Sequence, residues 1–135
     1  MELSPYLDFR GQCAEALIFY EECLGGRIEM LQTHGESPMQ DQVPPDWRGK
    51  VLHARLAVGR SALMGCDAPP DQFTAPQRMT LAISVPPGDA ERIFRALADG
   101  GRIAMPFEET FWSPGFGMLV DRFGTPWMVN AEPSP

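Results

Sequence analysis

The apolar and polar residues of the chain alternate with two periods, one typical of β-strands and one typical of amphipathic helices. The period of two predicts eight strands, at residues 5–9, 27–33, 51–58, 61–66, 79–85, 102–108, 116–120 and 127–130. The period of about 3.6 predicts helices over residues 13–23 and 89–98, with Asp89 as the candidate N-cap of the second. Residues 35–49 are rich in Pro, Gln and Asp, which predicts a loop.

Each predicted helix carries an apolar stripe that we expect to face a sheet. The stripes consist of Ala14, Leu17, Ile18 and Leu24 in the first helix and of Ala90, Ile93, Phe94 and Leu97 in the second. Successive side chains of a strand point to opposite faces, so strand 51–58 places Leu52, Ala54, Leu56 and Val58 on one face. Val51, His53, Arg55 and Ala57 then lie on the other face.

The order of elements, one strand, one helix and three strands, occurs twice along the chain. The tetrapeptide Gly25-Gly26-Arg27-Ile28 returns 75 residues later as Gly100-Gly101-Arg102-Ile103. At the same offset Phe19 matches Phe94 and Met30 matches Met105. The shared sequence and the shared order predict an α+β chain of two similar modules, roughly residues 1–67 and 78–135. The proline-rich segment from Asp67 to Gln77 has no period, so we assign the connector to residues 68–77.

Composition excludes several classes of function. A chain of 135 residues with 44% hydrophobic and 21% charged residues is typical of one soluble globular domain. It contains no apolar run of about 18 residues and no basic, then apolar, N-terminal segment, so we expect neither a membrane span nor a secretory signal. The net charge of −7 argues against nucleic-acid binding. Three cysteines without a CxxC pair predict a cytoplasmic protein.

Short motifs along nearly the whole chain resemble those of one known family. They are Tyr6-Leu7-Asp8-Phe9-Arg10-Gly11, Ala14-Glu15-Ala16-Leu17, Phe19-Tyr20, Leu24-Gly25-Gly26, His53-Ala54, Leu63-Met64, Met105-Pro106, Thr110-Phe111-Trp112, Phe116-Gly117, Asp121, Phe123-Gly124 and Trp127. This pattern resembles the PhnB-like branch of the vicinal oxygen chelate superfamily, which includes glyoxalase I, extradiol dioxygenases and bleomycin-resistance proteins. The resemblance implies paired βαβββ modules, each curled around a cleft, and a homodimer.

The resemblance also implies where a divalent metal would bind in the metal-using members. Carried over by strand, the four ligand positions fall on Tyr6, Met64, Thr80 and Met128. Thioethers are soft ligands and a neutral hydroxyl binds such an ion weakly. We therefore predict no metal at this site and no cofactor.

Three other residues have side chains capable of chemistry. His53 lies mid-strand on the face opposite the apolar row, where it is either a general base or ligand contact or a histidine with a structural hydrogen bond. Asp8 falls on the same side of the first strand as Tyr6, where it either points into the cleft or is solvated. No base is predicted beside Cys66, so we expect that thiol to pack rather than to react.

The aromatic residues near the predicted cleft also allow two interpretations. We expect Phe111 and Trp127 to belong to the core or to a dimer interface. Trp112 and Trp47 are either ligand contacts or packing residues, and the role of His34 in the adjoining loop is open. The predicted cleft lining is Tyr6, His53, Met64, Cys66, Thr80, Trp112 and Met128.

The sequence predicts a metal-free small-molecule binding protein whose reaction is not assigned. One alternative is a lyase or dioxygenase-type enzyme with a non-standard site around His53 and Asp8. Another is a resistance protein that sequesters a cationic drug. No glycine-rich turn between a strand and a helix precedes an acidic strand end, so a methyl-donor site is not predicted.

Overall fold

The computed structural model describes residues 1–38, 40–69, 71–75 and 79–133. The chain divides into two compact units, residues 1–75 and 76–135. No helix within the described ranges is long and apolar enough to cross a membrane.

The first unit contains one helix and a four-stranded mixed sheet. Its regular elements are β1 (Tyr6–Phe9), α1 (Cys13–Leu24), β2 (Arg27–Thr33), β3 (Val51–Val58) and β4 (Ser61–Asp67). The strand order is β1-β4-β3-β2, with β1 parallel to β4 and the other pairs antiparallel. Between β2 and β3, the described residues include three single-turn 3₁₀ helices, His34–Glu36, Gln40–Gln42 and Pro45–Trp47.

The second unit has the same order of elements and the same sheet topology. Its elements are β5 (Leu81–Val85), α2 (Pro87–Ala98), β6 (Arg102–Glu108), β7 (Phe116–Val120) and β8 (Pro126–Ala131). The strand order is β5-β8-β7-β6, with β5 parallel to β8. The predicted α+β class and the paired βαβββ modules are therefore confirmed.

The repeated Gly-Gly pair performs the same two tasks in both units. Gly25 and Gly100 follow the helices with φ angles of 73° and 77°, in the left-handed region that favours glycine. A side chain on Gly26 would meet the carbonyl oxygen of Ala57, and one on Gly101 would meet that of Val120. The first glycine reverses the chain, and the second lets the next strand approach its neighbour closely.

Only part of the predicted stripe of α1 is correct. The buried residues of this helix are Cys13, Ala16, Leu17, Tyr20 and Cys23. Ile18 is 49% exposed, so its assignment to the stripe was wrong. The buried stripe consists mainly of small and aromatic side chains that pack against the sheet, and it lies about one residue earlier in the helix than the predicted stripe. In α2 the predicted stripe of Ala90, Ile93, Phe94 and Leu97 is confirmed.

Three predicted boundaries also need correction. Asp89 is not the N-cap of α2, because the helix already begins at Pro87 and Pro86 is the capping residue. Strand 79–85 begins at Leu81, two residues late. β4 extends to Asp67, one residue beyond the predicted strand 61–66, and Asp67 is only 2% exposed. Of the predicted connector 68–77, Pro70, Pro76 and Gln77 lie outside the described residues.

Candidate functional site

The sheet of the first unit has two chemically different faces. Leu7 and Phe9 of β1 are 7% and 4% exposed and belong to the buried core. The intervening Tyr6 and Asp8 point to the opposite face, which we call the far face, because successive side chains alternate along a strand. Its principal residues are Tyr6, Asp8, His53, Arg55, Met64 and Cys66.

Strand pairing brings these residues together from three strands. In β1 and β4, Tyr6 pairs with Met64 and Asp8 with Cys66. In β3 and β4, Arg55 pairs with Met64. His53 lies two residues before Arg55 on β3, and therefore on the same face. The structure thus gathers four of the seven predicted cleft residues on the far face, together with Asp8.

Tyr6 and His53 form the most specific contact on this face. The Tyr6 hydroxyl lies 3.0 Å from Nδ1 of His53, and the two rings stack with centroids 5.6 Å apart and planes 23° apart. Burial, together with the nearby Cys66 and Asp8, raises the pKa of Tyr6 to about 12. The phenol therefore keeps its proton at neutral pH. It donates that proton to Nδ1 when the imidazole carries its own proton on Nε2.

Cys66 and Asp8 form a second polar pair beside the first. The Cys66 thiol donates a hydrogen bond of 3.3 Å to Oδ1 of Asp8. Burial and the hydrogen bond to Asp8 raise the pKa of Cys66 to about 11. A protonated thiol is a poor nucleophile, so this cysteine has the properties of a hydrogen-bond donor. The sequence assigned no base beside Cys66, and the parallel pairing of β1 with β4 sets the carboxylate of Asp8 against it.

Arg55 is a site residue that the sequence analysis placed on this face but did not single out. Its Nη1 lies 2.8 Å from Oε1 of Glu2, and its Nη2 donates 3.0 Å to Oε2 of the same carboxylate. Its Nε lies 3.5 Å from Glu29, and Nη1 lies 3.9 Å from the Met64 sulfur. The hydrogen bond from Arg55 lowers the pKa of Glu2. The alternation of side chains along β3 places Arg55 on the same face as His53, and this pattern could have identified Arg55 from the sequence.

The other predicted cleft residues belong to the second unit. Met128 pairs with Ala82, and both lie on the face of that sheet opposite the buried Trp127 and Val129. Thr80 is exposed and precedes β5. By register the position that corresponds to Tyr6 is Ala82, because Ala82 pairs with Met128 as Tyr6 pairs with Met64.

The aromatic residues of the second unit separate into buried and exposed groups. Trp127 is 2% exposed, which confirms its assignment to the core, and its indole N–H donates 2.8 Å to Asp121. Phe111 is 97% exposed, so it is not a core residue. Trp112 is half-exposed and contacts Phe116 edge-to-face at 5.4 Å. Phe111 and Trp112 lie in the turn between β6 and β7, which is held together by hydrogen bonds between Thr110 and Ser113.

The comparisons with known proteins agree with this architecture. The sequence model of the Glyoxalase/Bleomycin resistance protein/Dioxygenase superfamily matches residues 5–129. The chain belongs to this superfamily. Protein YjdN of Escherichia coli K12 is 36% identical over 141 residues, which cover 96% of this chain and 95% of that protein.

Two solved structures are also similar over almost the whole chain. The crystal structure of protein PA1353 from Pseudomonas aeruginosa is 43% identical with a TM-score of 0.89, covering 98% of both chains. A Bacillus cereus protein described as a putative 3-demethylubiquinone-9 3-methyltransferase, PhnB protein, is 25% identical with a TM-score of 0.82, covering 98% of this chain and 100% of that one. These relatives support the PhnB-like branch of the superfamily.

The residues at the superfamily's metal-ligand positions do not fit a divalent ion. The Tyr6 hydroxyl is engaged by His53, and the Met64 thioether faces the positively charged Arg55. In the second unit the predicted positions are Thr80, whose neutral hydroxyl binds such an ion weakly, and Met128, a second thioether. The residue in register with Tyr6 is Ala82, whose methyl group cannot bind an ion. Hard and borderline divalent ions prefer carboxylates and imidazoles. Within the described ranges, no group of three His, Cys, Asp or Glu side chains is arranged to hold an ion.

His34 and Trp47, whose roles the sequence left open, lie elsewhere in the first unit. Nε2 of His34 is 3.3 Å from the backbone oxygen of Asp67. Trp47 contributes to a cavity of about 400 Å³ between two loop segments. Its other lining residues are Gln42, Val43, Pro44, Asp46, Pro69, Asp71 and Gln72. Neither residue belongs to the cluster on the far face.

Proposed function

We propose that the chain is a small-molecule binding protein of the superfamily and that its ligand binds on the far face of the first sheet. One observation carries this proposal: a stacked, hydrogen-bonded Tyr6–His53 pair stands on a sheet face that α1 does not cover. Tyr6 is 45% exposed, so a ligand can reach the pair. A pair of this kind offers both hydrogen bonds and aromatic surface, as ligand sites commonly do.

The surrounding side chains define the ligand's chemistry. Met64 supplies an adaptable apolar surface between β1 and β3. Cys66 and Tyr6 both remain protonated at neutral pH and donate their protons to Asp8 and His53. In this arrangement the imidazole proton is on Nε2 of His53, which is therefore the donor that a ligand can use. We infer a small organic ligand with an aromatic or other flat apolar part and at least one hydrogen-bond acceptor.

We further propose that the protein works without a metal at the superfamily position. The support is the mismatch of phenol, methyl and thioether side chains with the ions that the superfamily uses. Elemental analysis of protein purified without chelators tests this statement. We expect substoichiometric Ni, Zn, Fe and Mn, and one equivalent of any of them that is lost on substitution of Tyr6 or Met64 would contradict it.

A thermal-shift screen of a fragment library tests the binding proposal. Hits on the wild-type protein are remeasured on Tyr6→Phe and His53→Gln, and His34→Gln serves as the matched control because it replaces the only other histidine. We expect the hits to lose their effect on the first two variants and to retain it on the control. Hits that stabilise all four proteins equally would place the binding site elsewhere and overturn the proposal.

The Tyr6–His53 contact also favours a second candidate, an acid–base enzyme. In the tautomer with its proton on Nδ1, His53 donates to the Tyr6 oxygen, so Nε2 can remove a proton from a bound substrate. The phenol proton of Tyr6 can then stabilise the charge that develops. If this function is correct, His53→Gln abolishes any activity found, whereas Tyr6→Phe reduces it. Activity that is unchanged in His53→Gln would exclude this candidate.

The description of the Bacillus cereus relative does not extend to this chain in our proposal. A phosphate-type ligand at the N-terminus of α1 would need free backbone N–H groups at the turn between β1 and α1. In this chain Oδ1 of Asp67 accepts hydrogen bonds from the N–H groups of Gly11 and Cys13, at 2.8 and 2.9 Å. The protein's own carboxylate therefore fills the place that such a ligand would take.

A further inference from the structure

The carboxylate of Glu2 binds the guanidinium of Arg55 in the way that the carboxylate of a ligand would. Nη1 and Nη2 of Arg55 each contact a different oxygen of this one carboxylate, at 2.8 and 3.0 Å. Two parallel contacts of this kind are the geometry in which arginine recognises carboxylates. Glu2 belongs to the irregular segment before β1, and its carboxylate also accepts a hydrogen bond of 2.9 Å from the Ser4 hydroxyl of the same segment.

We infer that the far face takes a ligand bearing a carboxylate, that Arg55 binds this carboxylate, and that Glu2 is an internal competitor for the same place. The inference rests on the proposed function and names the class of its ligand. It makes Arg55 the specificity-determining residue of the site. It also makes the segment that precedes β1 a removable cover.

The register of the sheet places the anion and the ring contacts within reach of one small molecule. Arg55 and Tyr6 flank Met64 in a row across three strands, at two strand spacings or about 10 Å. His53 stands two residues from Arg55 along β3, at about 7 Å. A ligand whose carboxylate lies on Arg55 can therefore extend over Met64 towards the Tyr6–His53 pair.

The charges of the face fit the exchange of one carboxylate for another. Arg55 is paired with a carboxylate before and after the exchange, and it keeps Glu29 as a second partner at 3.5 Å from Nε. The side chain of Glu2 is 54% exposed, and ion pairs of this exposure are weak. A ligand that adds ring contacts to the same bidentate pair therefore displaces Glu2.

Binding of benzoate and of its neutral analogue benzamide tests the inference. Dissociation constants are measured by NMR titration at fixed ionic strength for the wild type, Glu2→Gln and Arg55→Gln. Glu91→Gln is the matched control, because it removes the same charge from an exposed ion pair with Arg95 on α2. Circular dichroism establishes that each variant is folded.

We expect Glu2→Gln to bind benzoate about two- to fivefold more tightly than the wild type, the range that corresponds to an exposed ion pair. Glu91→Gln should leave the affinity unchanged, and Arg55→Gln should lose benzoate while retaining benzamide. Equal benzoate affinity in the wild type and Glu2→Gln, or no benzoate binding to Glu2→Gln, would overturn the inference. Benzamide binding that depends on Tyr6 and His53 would in that case still uphold the proposed function, so the two failures are distinguishable.

Discussion

Replacing Asp67 should destabilise the first unit more than any surface substitution. This carboxylate is 2% exposed and accepts three backbone hydrogen bonds, from Gly11 and Cys13 on Oδ1 and from Val51 on Oδ2 at 2.8 Å. It thereby ties the turn before α1 and the start of β3 to the end of β4. A hydrogen bond to a charged group contributes about 1.5–3 kcal/mol, and buried N–H groups left without an acceptor cost about 1–3 kcal/mol each.

Because the three bonds share one acceptor, their contributions do not add in full. We expect Asp67→Ala to lower the free energy of unfolding by about 4 kcal/mol. Asp67→Asn keeps one oxygen, which can still accept from Gly11 and Cys13, so its expected loss is about 2 kcal/mol. Both are large fractions of the stability of about 5–15 kcal/mol that a typical domain has.

Urea denaturation followed by circular dichroism measures these losses as a lower midpoint with an unchanged slope. Asp71→Asn is the matched control, since Asp71 is an exposed aspartate of the same unit. Its expected effect is within about 0.5 kcal/mol. If Asp67→Ala and Asp71→Asn unfolded at the same urea concentration, the three hydrogen bonds to Asp67 would contribute nothing to stability and the reasoning would be refuted.

Three further predictions concern other parts of the chain. Asp121 accepts hydrogen bonds from two backbone N–H groups and from the Trp127 indole, so Asp121→Ala should lose about 3 kcal/mol in the same urea assay, and a loss below about 0.5 kcal/mol would contradict this. Iodoacetamide should modify Cys66 slowly at pH 8 and faster up to a pKa of about 11, and Asp8→Asn should raise the rate at each pH; an apparent pKa near the ordinary value of about 8.5 would be inconsistent with the buried, hydrogen-bonded thiol. We propose that the protein is a homodimer and that the exposed Phe111 contributes to its interface, so light scattering should give a dimer that Phe111→Ser weakens, whereas a monomeric wild type would exclude it.

The raised pKa values of Cys66 and Tyr6 also fix the sign of a pH dependence. Both groups hold their protons more tightly in the folded chain than in the unfolded chain, at about 11 and about 12. Their contribution to stability is therefore complete below the ordinary cysteine pKa and is lost as the pH rises through this alkaline range. Thermal unfolding measured between pH 8 and pH 11 should show a decline that Cys66→Ser reduces.

Periodicity predicted the elements of this chain well, because β1, β7 and β8 alternate between buried and more exposed residues and each helix has one buried stripe. Periodicity failed where the burial of a side chain depends on the residues it packs against rather than on its own hydrophobicity. Tyr20 and two cysteines fill the contact under α1, while the more apolar Ile18 is exposed. The burial of Asp67 could not be predicted from its polarity, because it depends on hydrogen bonds from three backbone N–H groups that are distant in sequence.

The sequence predicted which residues of the candidate site share one face of the sheet, but not which of them contact each other. Alternation along β1, β3 and β4 assigns Tyr6, His53 and Met64 to one side of the sheet. Which of them touch depends on the register between strands that are distant in sequence, and no local pattern encodes the parallel pairing of Asp8 with Cys66. The importance of Arg55 was missed because its partner Glu2 lies 53 residues away in the chain.

The Met64 methyl group provides the most direct test of a ligand site on the far face. In a protein labelled with ¹³C at the methionine methyls, the Met64 signal is assigned with Met64→Leu and followed during titration with a fragment that raises the melting temperature. The account predicts a saturable shift of this signal that disappears in His53→Gln. A fragment that saturates the protein while the Met64 signal stays in place would contradict it.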